Sequence, residues 1–279
     1  VTPNYPPRGT YKVTSTATDP DGATDTKTFT ITVNDAQLRV TSGLLALYRF
    51  NGPLGNGAII PDTAGNGTPL NLQVNTLSSG SSATSSTGDG GLRINAPVRI
   101  QSVGNASKIN NAAISSDAIT VELWLRSASG SNSGPGRIFT ISNDTSNARN
   151  ISIAEGPCTG SSGSSYCLRL RTTSTSTYTS VNTGTSSTAL QHVVMTFSKS
   201  DKRLRLYVNG SEVHNQNLAN LGNNLDKWTT TYPLVLANEA NSSPDNARDW
   251  MGDLYLVAVY NRALSAAEVT TNYSAGHLP

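Results

Sequence analysis

Two cysteines, a thin set of carboxylates and a few loop aromatics are the residues of this chain equipped for chemistry. Cys158 and Cys167 stand in PCTGSSGSSYC, between the strand-like stretches 150–154 and 168–172. A metal site would want further ligands nearby, and the three histidines, His192, His214 and His277, are scattered. The pair reads as a disulfide across a hairpin mouth, formed in an oxidising compartment, with two free thiols on a loop as the other possibility. Glycoside hydrolysis would need two carboxylates about 5–9.5 Å apart across the sugar. Alternate strand positions supply such pairs, as in E-x-D-x-x-E, and no such run occurs here. Glu122 stands alone between Thr120 and Trp124 and is expected at a solvated outer position. A G-x-S-x-G elbow, an H-E-x-x-H helix and a phosphate-binding glycine loop are also absent, so the chain reads as a non-enzyme.

Binding chemistry is better supplied. Hard Ca²⁺ takes carboxylate, amide and carbonyl oxygens from a turn that folds back on itself. The turn DTAGNG offers Asp62, Asn66 and glycines that let carbonyls converge. An Asx-turn, in which Asp62 bonds its own backbone, would use the same residues. For a sugar, rings stack on C–H faces while amides and carboxylates take the hydroxyls. The loop candidates are Trp228, Tyr232, Tyr178, Asn241, Asp245 and Asp249.

The elements that must position these residues are strands. Stretch 189–213, ALQHVVMTFSKSDKRLRLYVNGSEV, alternates with period two on either side of a polar turn, so it predicts a hairpin with one buried face. Residues 119–126, ITVELWLR, and 43–50, GLLALYRF, alternate likewise. In 251–271, MGDLYLVAVYNRALSAAEVTT, both strand faces are apolar, as in a central strand covered on both sides. Ser265 and Glu268 then form a capping box for a short helix that stops near Gly276. Stretch 77–91 is low in complexity and is expected as a surface loop, and 108–117 as a polar connector. At the start, 9–34 reads as strand, Asp-Pro-Asp-Gly turn and strand.

Composition sets outer limits. Hydrophobic residues make up 36% and charged residues 14% of the 279, which suits a loop-rich extracellular β protein. A formal charge of +2 is too small to imply a nucleic-acid partner. No apolar run approaches the roughly 20 residues of a membrane span, so no membrane insertion is expected. No signal peptide opens the chain, and Val1 falls in mid-pattern, so the chain reads as mature, trimmed or part of something longer.

The hairpin residues Gln191-His192-Val193 and Leu204-Arg205-Leu206-Tyr207-Val208-Asn209-Gly210 resemble the signature of the laminin-G-like, concanavalin A-like jelly-roll family. So do ITVELWLR, DTAGNG and the MGDLYLVAVYNRALSAAEV stretch. The resemblance implies an all-β antiparallel sandwich over 43–279, with one short C-terminal helix. It further implies that Trp124 and Trp250 pack in the interior, and that a structural Ca²⁺ at Asp62 and Asn66 would be completed by Asp253. Residues 1–36 resemble the last two strands of a PKD, cadherin-like or other Ig-like module, with 37–42 as linker. The expected role is an extracellular or cell-surface adhesion or carbohydrate-binding module, with a glycan or an extracellular protein as partner. The alternative is a structural subunit that self-associates into a filament through the N-terminal hairpin.

Overall fold

The computed structural model describes residues 9–33, 38–51, 55–77, 83–132, 134–143, 148–159, 163–172, 178–218, 224–241 and 248–278. The chain divides into two units, Val1–Leu38 and Arg39–Pro279.

The first unit is a two-stranded ribbon of β1 (Gly9–Thr18) and β2 (Thr24–Val33) in unbroken antiparallel register. Its turn is fixed by Asp19, whose carboxylate accepts the amides of Asp21 and Ala23 at 3.0 and 2.8 Å. One face is a threonine ladder in which Thr14–Thr28 and Thr16–Thr26 hydroxyls meet at 3.2 Å. The opposite face carries Val13, Phe29 and Ile31, all exposed.

The second unit contains β3 (Leu44–Arg49), β4 (Ile59–Ile60), β5 (Leu72–Thr76), β6 (Thr84–Ser86), β7 (Leu92–Ile94) and β8 (Val98–Ser102). Helix α1 (Ser107–Ser116) precedes β9 (Ala118–Ser127), β10 (Gly136–Ser142), β11 (Arg149–Glu155), β12 (Tyr166–Arg171) and β13 (Tyr178–Thr183). There follow β14 (Gln191–Ser198), β15 (Arg203–Val208), β16 (Ser211–Asn217), β17 (Leu234–Leu236), β18 (Gly252–Tyr260) and helix α2 (Ala266–Ala275). One sheet runs β13-β12-β11-β10-β17-β8-β5-β4, and the other β16-β15-β14-β9-β18-β7-β6, with β3 also on β18. Every pairing is antiparallel, which gives the expected β-sandwich. β18 is its centre. It pairs with β9 along one side, and with β7 and then β3 along successive halves of the other.

The main core lies between the sheets and takes Val121, Leu123 and Leu125 from β9, Val193 and Met195 from β14, and Ile151 and Ile153 from β11. A second cluster lies on the outer face of the β18 sheet: Trp124, Val194, Tyr207, Tyr255, Leu256, Ala258 and Tyr260, with Leu264 and Val269 from the α2 segment. Covering both faces explains why all nine residues of β18 are buried. The α2 capping box forms as the sequence predicts: the Ser265 hydroxyl accepts the Glu268 amide and the Glu268 carboxylate accepts the Ser265 amide.

Three expectations change, and one strand departs from plain alternation. Residues 108–117 are not a connector but most of α1, whose Ile109 and Ala113 share one buried face at helical spacing. Part of 77–91 is the edge strand β6, held by pairing with β7. A bulge at Tyr255 shifts the β18–β9 register, so Leu254, Val257 and Val259 face the core while Tyr255, Leu256, Ala258 and Tyr260 face outward. Glu122, expected in solvent, retains none of its exposure, because α2 and the segment before β3 lie over it. Cys158 and Cys167 are bonded, with Cα atoms 5.0 Å apart.

Candidate ligand clefts beside the central strand

Three adjacent strands place one rung of charge on the outer face of the β18 sheet. Asp253 pairs in register with Arg93 on β7 and with Arg126 on β9. Arg93 donates from Nε and Nη2 to the two carboxylate oxygens at 2.9 and 3.1 Å. Arg126 Nη1 lies 3.5 Å from Asp253 and its Nη2 4.0 Å from Asp89, while its guanidinium sits 5.7 Å above the Tyr255 ring. The bulge aims Tyr255 into this group. Its hydroxyl donates to Asp89 at 3.3 Å, and the His277 ring meets it edge-on at 4.7 Å. Gly91 lets the 87–91 turn lie on the ring: a Cβ there would stand 2.8 Å from Tyr255.

Two clefts open on either side of this partition. One of about 340 Å³ is lined by Arg49, Asn51, Asp89, Tyr255, His277 and Leu278. The other, of about 320 Å³, is lined by Arg93, Asn95, Arg126, Ser127, Thr188 and Asp253. Tyr255 keeps 1% of its surface, so the apolar wall a ligand would meet is His277 and Leu278. Burial pushes the His277 imidazole down, against Asp89 and with Arg126 and Arg49, so at neutral pH it is an uncharged ring. The Thr87 hydroxyl, then those of Tyr255 and the Arg126 charge, hold Asp89 below the usual carboxylate range despite its desolvation. The arrangement therefore offers a ring and an apolar side chain beside a fixed carboxylate, guanidinium and amide.

A third, open groove of about 670 Å³ runs beside the start of α2 and carries Asp201, Glu212 and Glu268. Each is ion-paired: Asp201 and Glu212 to Arg205 at 2.5 and 3.4 Å, and Glu268 to Arg262 at 2.7 Å. Arg262 above all, helped by Ser265, brings Glu268 down to about 2, the opposite of what a general acid requires.

The residues singled out from sequence lie elsewhere. Trp228 is a core residue, 4% exposed, whose indole donates to the Arg171 carbonyl at 2.8 Å; this corrects its assignment as a sugar-stacking ring. Tyr232 packs half-buried against the main core, its carbonyl taken by Ala106 and Asn110. Asn241 is exposed and donates to the Asn143 carbonyl, and Asp249 accepts from Asn238. Tyr178 opens β13, and Asp245 lies outside the described residues. These positions do not converge on the clefts. Asp89, Arg126 and His277 were missed because their partners lie on strands far apart in the chain; the one local signal was the Asp-Gly-Gly turn at 89–91.

Asp62 accepts the amides of Leu47, Ala64 and Leu70 at 3.0 to 3.1 Å and the Lys108 ammonium at 2.9 Å. Asn66 donates to the Leu44 carbonyl, and Asp253 is committed to its arginines. Among the described residues no group of three or more His, Cys, Asp or Glu could hold a metal ion. The Lys108 ammonium takes one approach to the Asp62 carboxylate, and backbone amides take the others named. Chelation with EDTA is therefore expected to leave the melting temperature unchanged, whereas a fall of several degrees would restore a structural Ca²⁺.

A family model described as concanavalin A-like lectin/glucanases superfamily matches residues 101–270, more than half of the chain. A search of curated proteins gave no match. Among solved structures, the binding domain of paraclostridial mosquitocidal protein 1 superposes with TM-score 0.55 at 16% identity, over 83% of this chain and 52% of that one. Trypanosoma rangeli sialidase in complex with DANA gives 0.52 at 14%, over 83% and 33%. A botulinum neurotoxin type C structure gives 0.56 at 11%, over 83% and 51%. The chain thus spans between a third and a half of the length of these structures, and at such identities the likeness is one of fold. With the family model over most of its sandwich, the chain belongs to the concanavalin A-like lectin/glucanases superfamily.

Proposed function

We propose that this chain is a non-catalytic carbohydrate-binding module that works outside the cytosol. The observation that carries the reading is the cleft of about 340 Å³ in which His277 and Leu278 face Asp89, Arg49 and Asn51. A sugar presents C–H faces to apolar surface and hydroxyls to a carboxylate or amide, and this cleft supplies both within the span of one or two sugar units. Two of the toxin neighbours point the same way: one binding domain is in complex with SialylT, and type C neurotoxin depends on two ganglioside molecules for cell entry. The buried Glu122 and the low value of Glu268 support the non-catalytic part. The disulfide supports an oxidising compartment. No helix among the described residues is long and apolar enough to cross a membrane.

The test is a broad glycan array followed by titration of the retained sugars. Wild type should hold a defined subset, and Asp89→Ala should weaken it by roughly ten-fold or more with an unchanged melt. Retention of nothing, or equal binding by the variant, would remove the cleft as a sugar site.

A second reading is favoured by the ribbon, where Phe29 is 50% and Ile31 45% exposed on one apolar face. Such a surface invites pairing with another chain, as in a self-associating structural subunit. Deleting residues 1–34 should then convert an assembled form to monomers in sedimentation velocity; an unchanged profile removes the ribbon as an assembly element.

A further inference from the structure

We infer that the glycan this module takes is anionic, with its carboxylate or sulfate group held by Arg126 and Arg93 in the cleft of about 320 Å³. The inference rests on the carbohydrate reading above and specifies its ligand class.

The argument starts from Arg126. Its side chain is 35% exposed, and neither carboxylate oxygen beside it comes within hydrogen-bond distance, at 3.5 and 4.0 Å. Among the described residues its N–H groups form no hydrogen bond. The cation is thus attracted to Asp253, Asp89 and the Tyr255 ring, while its directional donors remain available. Guanidinium groups recognise carboxylates and sulfates through paired N–H donors, so an oriented and unengaged fork is a recognition group.

Arg93 adds a second donor. It spends Nε and Nη2 on Asp253, which leaves Nη1 on a side chain 46% exposed. Asp253 itself keeps only 5% of its side-chain surface, so the negative charge is recessed and the cationic groups line the opening. Ser127 accepts the amides of Ser129 and Gly130, which leaves its hydroxyl proton to donate, and Thr188 brings a further hydroxyl. A neutral sugar's hydroxyls both donate and accept, whereas a carboxylate or sulfate only accepts, and the one carboxylate lining this cleft is already taken. An anion needs donors, and those predominate.

Arg126 also forms the partition toward the neighbouring cleft, through its contacts with Asp89 and Tyr255. An oligosaccharide can therefore place its acidic unit on Arg126 and Arg93 and an adjoining unit against His277 and Leu278. Uronic or sialic acids and sulfated sugars share the required chemistry.

The test uses matched probes: sialyllactose against lactose, digalacturonate against its methyl ester, and sulfated lactose against lactose. Calorimetric titration of the wild type should favour one acidic member over its neutral counterpart by roughly ten-fold or more, with affinity falling as salt rises. The preferred acid distinguishes carboxylate from sulfate. Arg126→Gln should abolish that preference, bringing the acidic and neutral members within about two-fold of each other. Should Arg126→Gln fail to fold, Arg93→Gln, at a more exposed position, carries the same expectation. Equal affinity for acidic and neutral members overturns this inference and leaves the carbohydrate reading standing. Binding of neither, together with an empty array, overturns both.

Discussion

Replacing Glu122 with alanine should lower the unfolding free energy by about 3–5 kcal/mol, the cost of stranding a buried charge without its partner. Glu122 is fully buried on β9 beneath α2. Its Oε1 accepts from Arg39 and lies 2.9 Å from His192 Nε2. Its Oε2 accepts from Asn272 at 2.8 Å and from the Tyr260 hydroxyl at 3.2 Å. Asn272 in turn takes the Val40 amide at 2.8 Å, so one carboxylate fastens the segment before β3 and the C-terminal helix to the central sheet. Removing it leaves the Arg39 guanidinium, which is 9% exposed, without its carboxylate and with the Gly276 carbonyl as its other acceptor. Burial alone would raise the Glu122 carboxyl, but the hydrogen bonds and charges of His192 and Arg39 outweigh it and hold the group below its ordinary value. A carboxylate depressed on folding stabilises fully above its unfolded value of about 4.3, and that contribution is lost as pH falls through the folded value. The difference in urea-unfolding free energy between wild type and Glu122→Gln should therefore shrink as pH falls below about 4. A loss under about 1 kcal/mol for the alanine variant, or a difference independent of pH, would mean that the network does not fasten the helix.

Strand alternation made the sandwich legible, because one face of each strand must meet a core whatever lies on the other. The β14–β15 hairpin, the two apolar faces of β18 and the Ser265–Glu268 capping box all follow from contacts within a few residues or from period alone. What covers an outer face is a different matter. Glu122 finds His192 70 residues away and Asn272 150 residues away, so its alternation with Val121 and Leu123 reads as solvent exposure when it marks a buried charge. The clefts were hidden for the same reason, since Arg93, Arg126 and Asp253 become neighbours only through the pairing of β7 and β9 on β18. The Tyr255 bulge inverts the parity of half a strand without any glycine or proline to announce it. Trp228 was misplaced because an aromatic residue in an irregular stretch looks like a ligand residue until a backbone carbonyl is found for its N–H.

The second large effect is expected at Glu239, just after β17 of the other sheet. Glu239 is fully buried and holds two arginines at once: Arg137 Nε at 3.1 Å from Oε2 and Arg149 Nε at 3.1 Å from Oε1, with Arg248 3.9 Å away. Arg137 spans from β10 with no exposed surface and is otherwise held by the Pro135 carbonyl at 2.9 Å. Burial pulls Arg137 down to about 9; Glu239 opposes that shift, and Arg169, Arg149 and Arg248 reinforce it. Take the carboxylate away and every remaining charge named around Arg137 is positive. Glu239→Ala is therefore expected to cost about 3–5 kcal/mol in urea denaturation. Replacing both partners with apolar residues removes the stranded charge along with its counterion, so Arg137→Met combined with Glu239→Leu should recover part of that loss. The recovery is incomplete because Arg149 still loses a partner. A coupling energy of about 1 kcal/mol or more between the two positions is the expected reading of the double-mutant cycle. Strictly additive losses would show that Arg137 and Glu239 are stabilised independently, by other groups than each other.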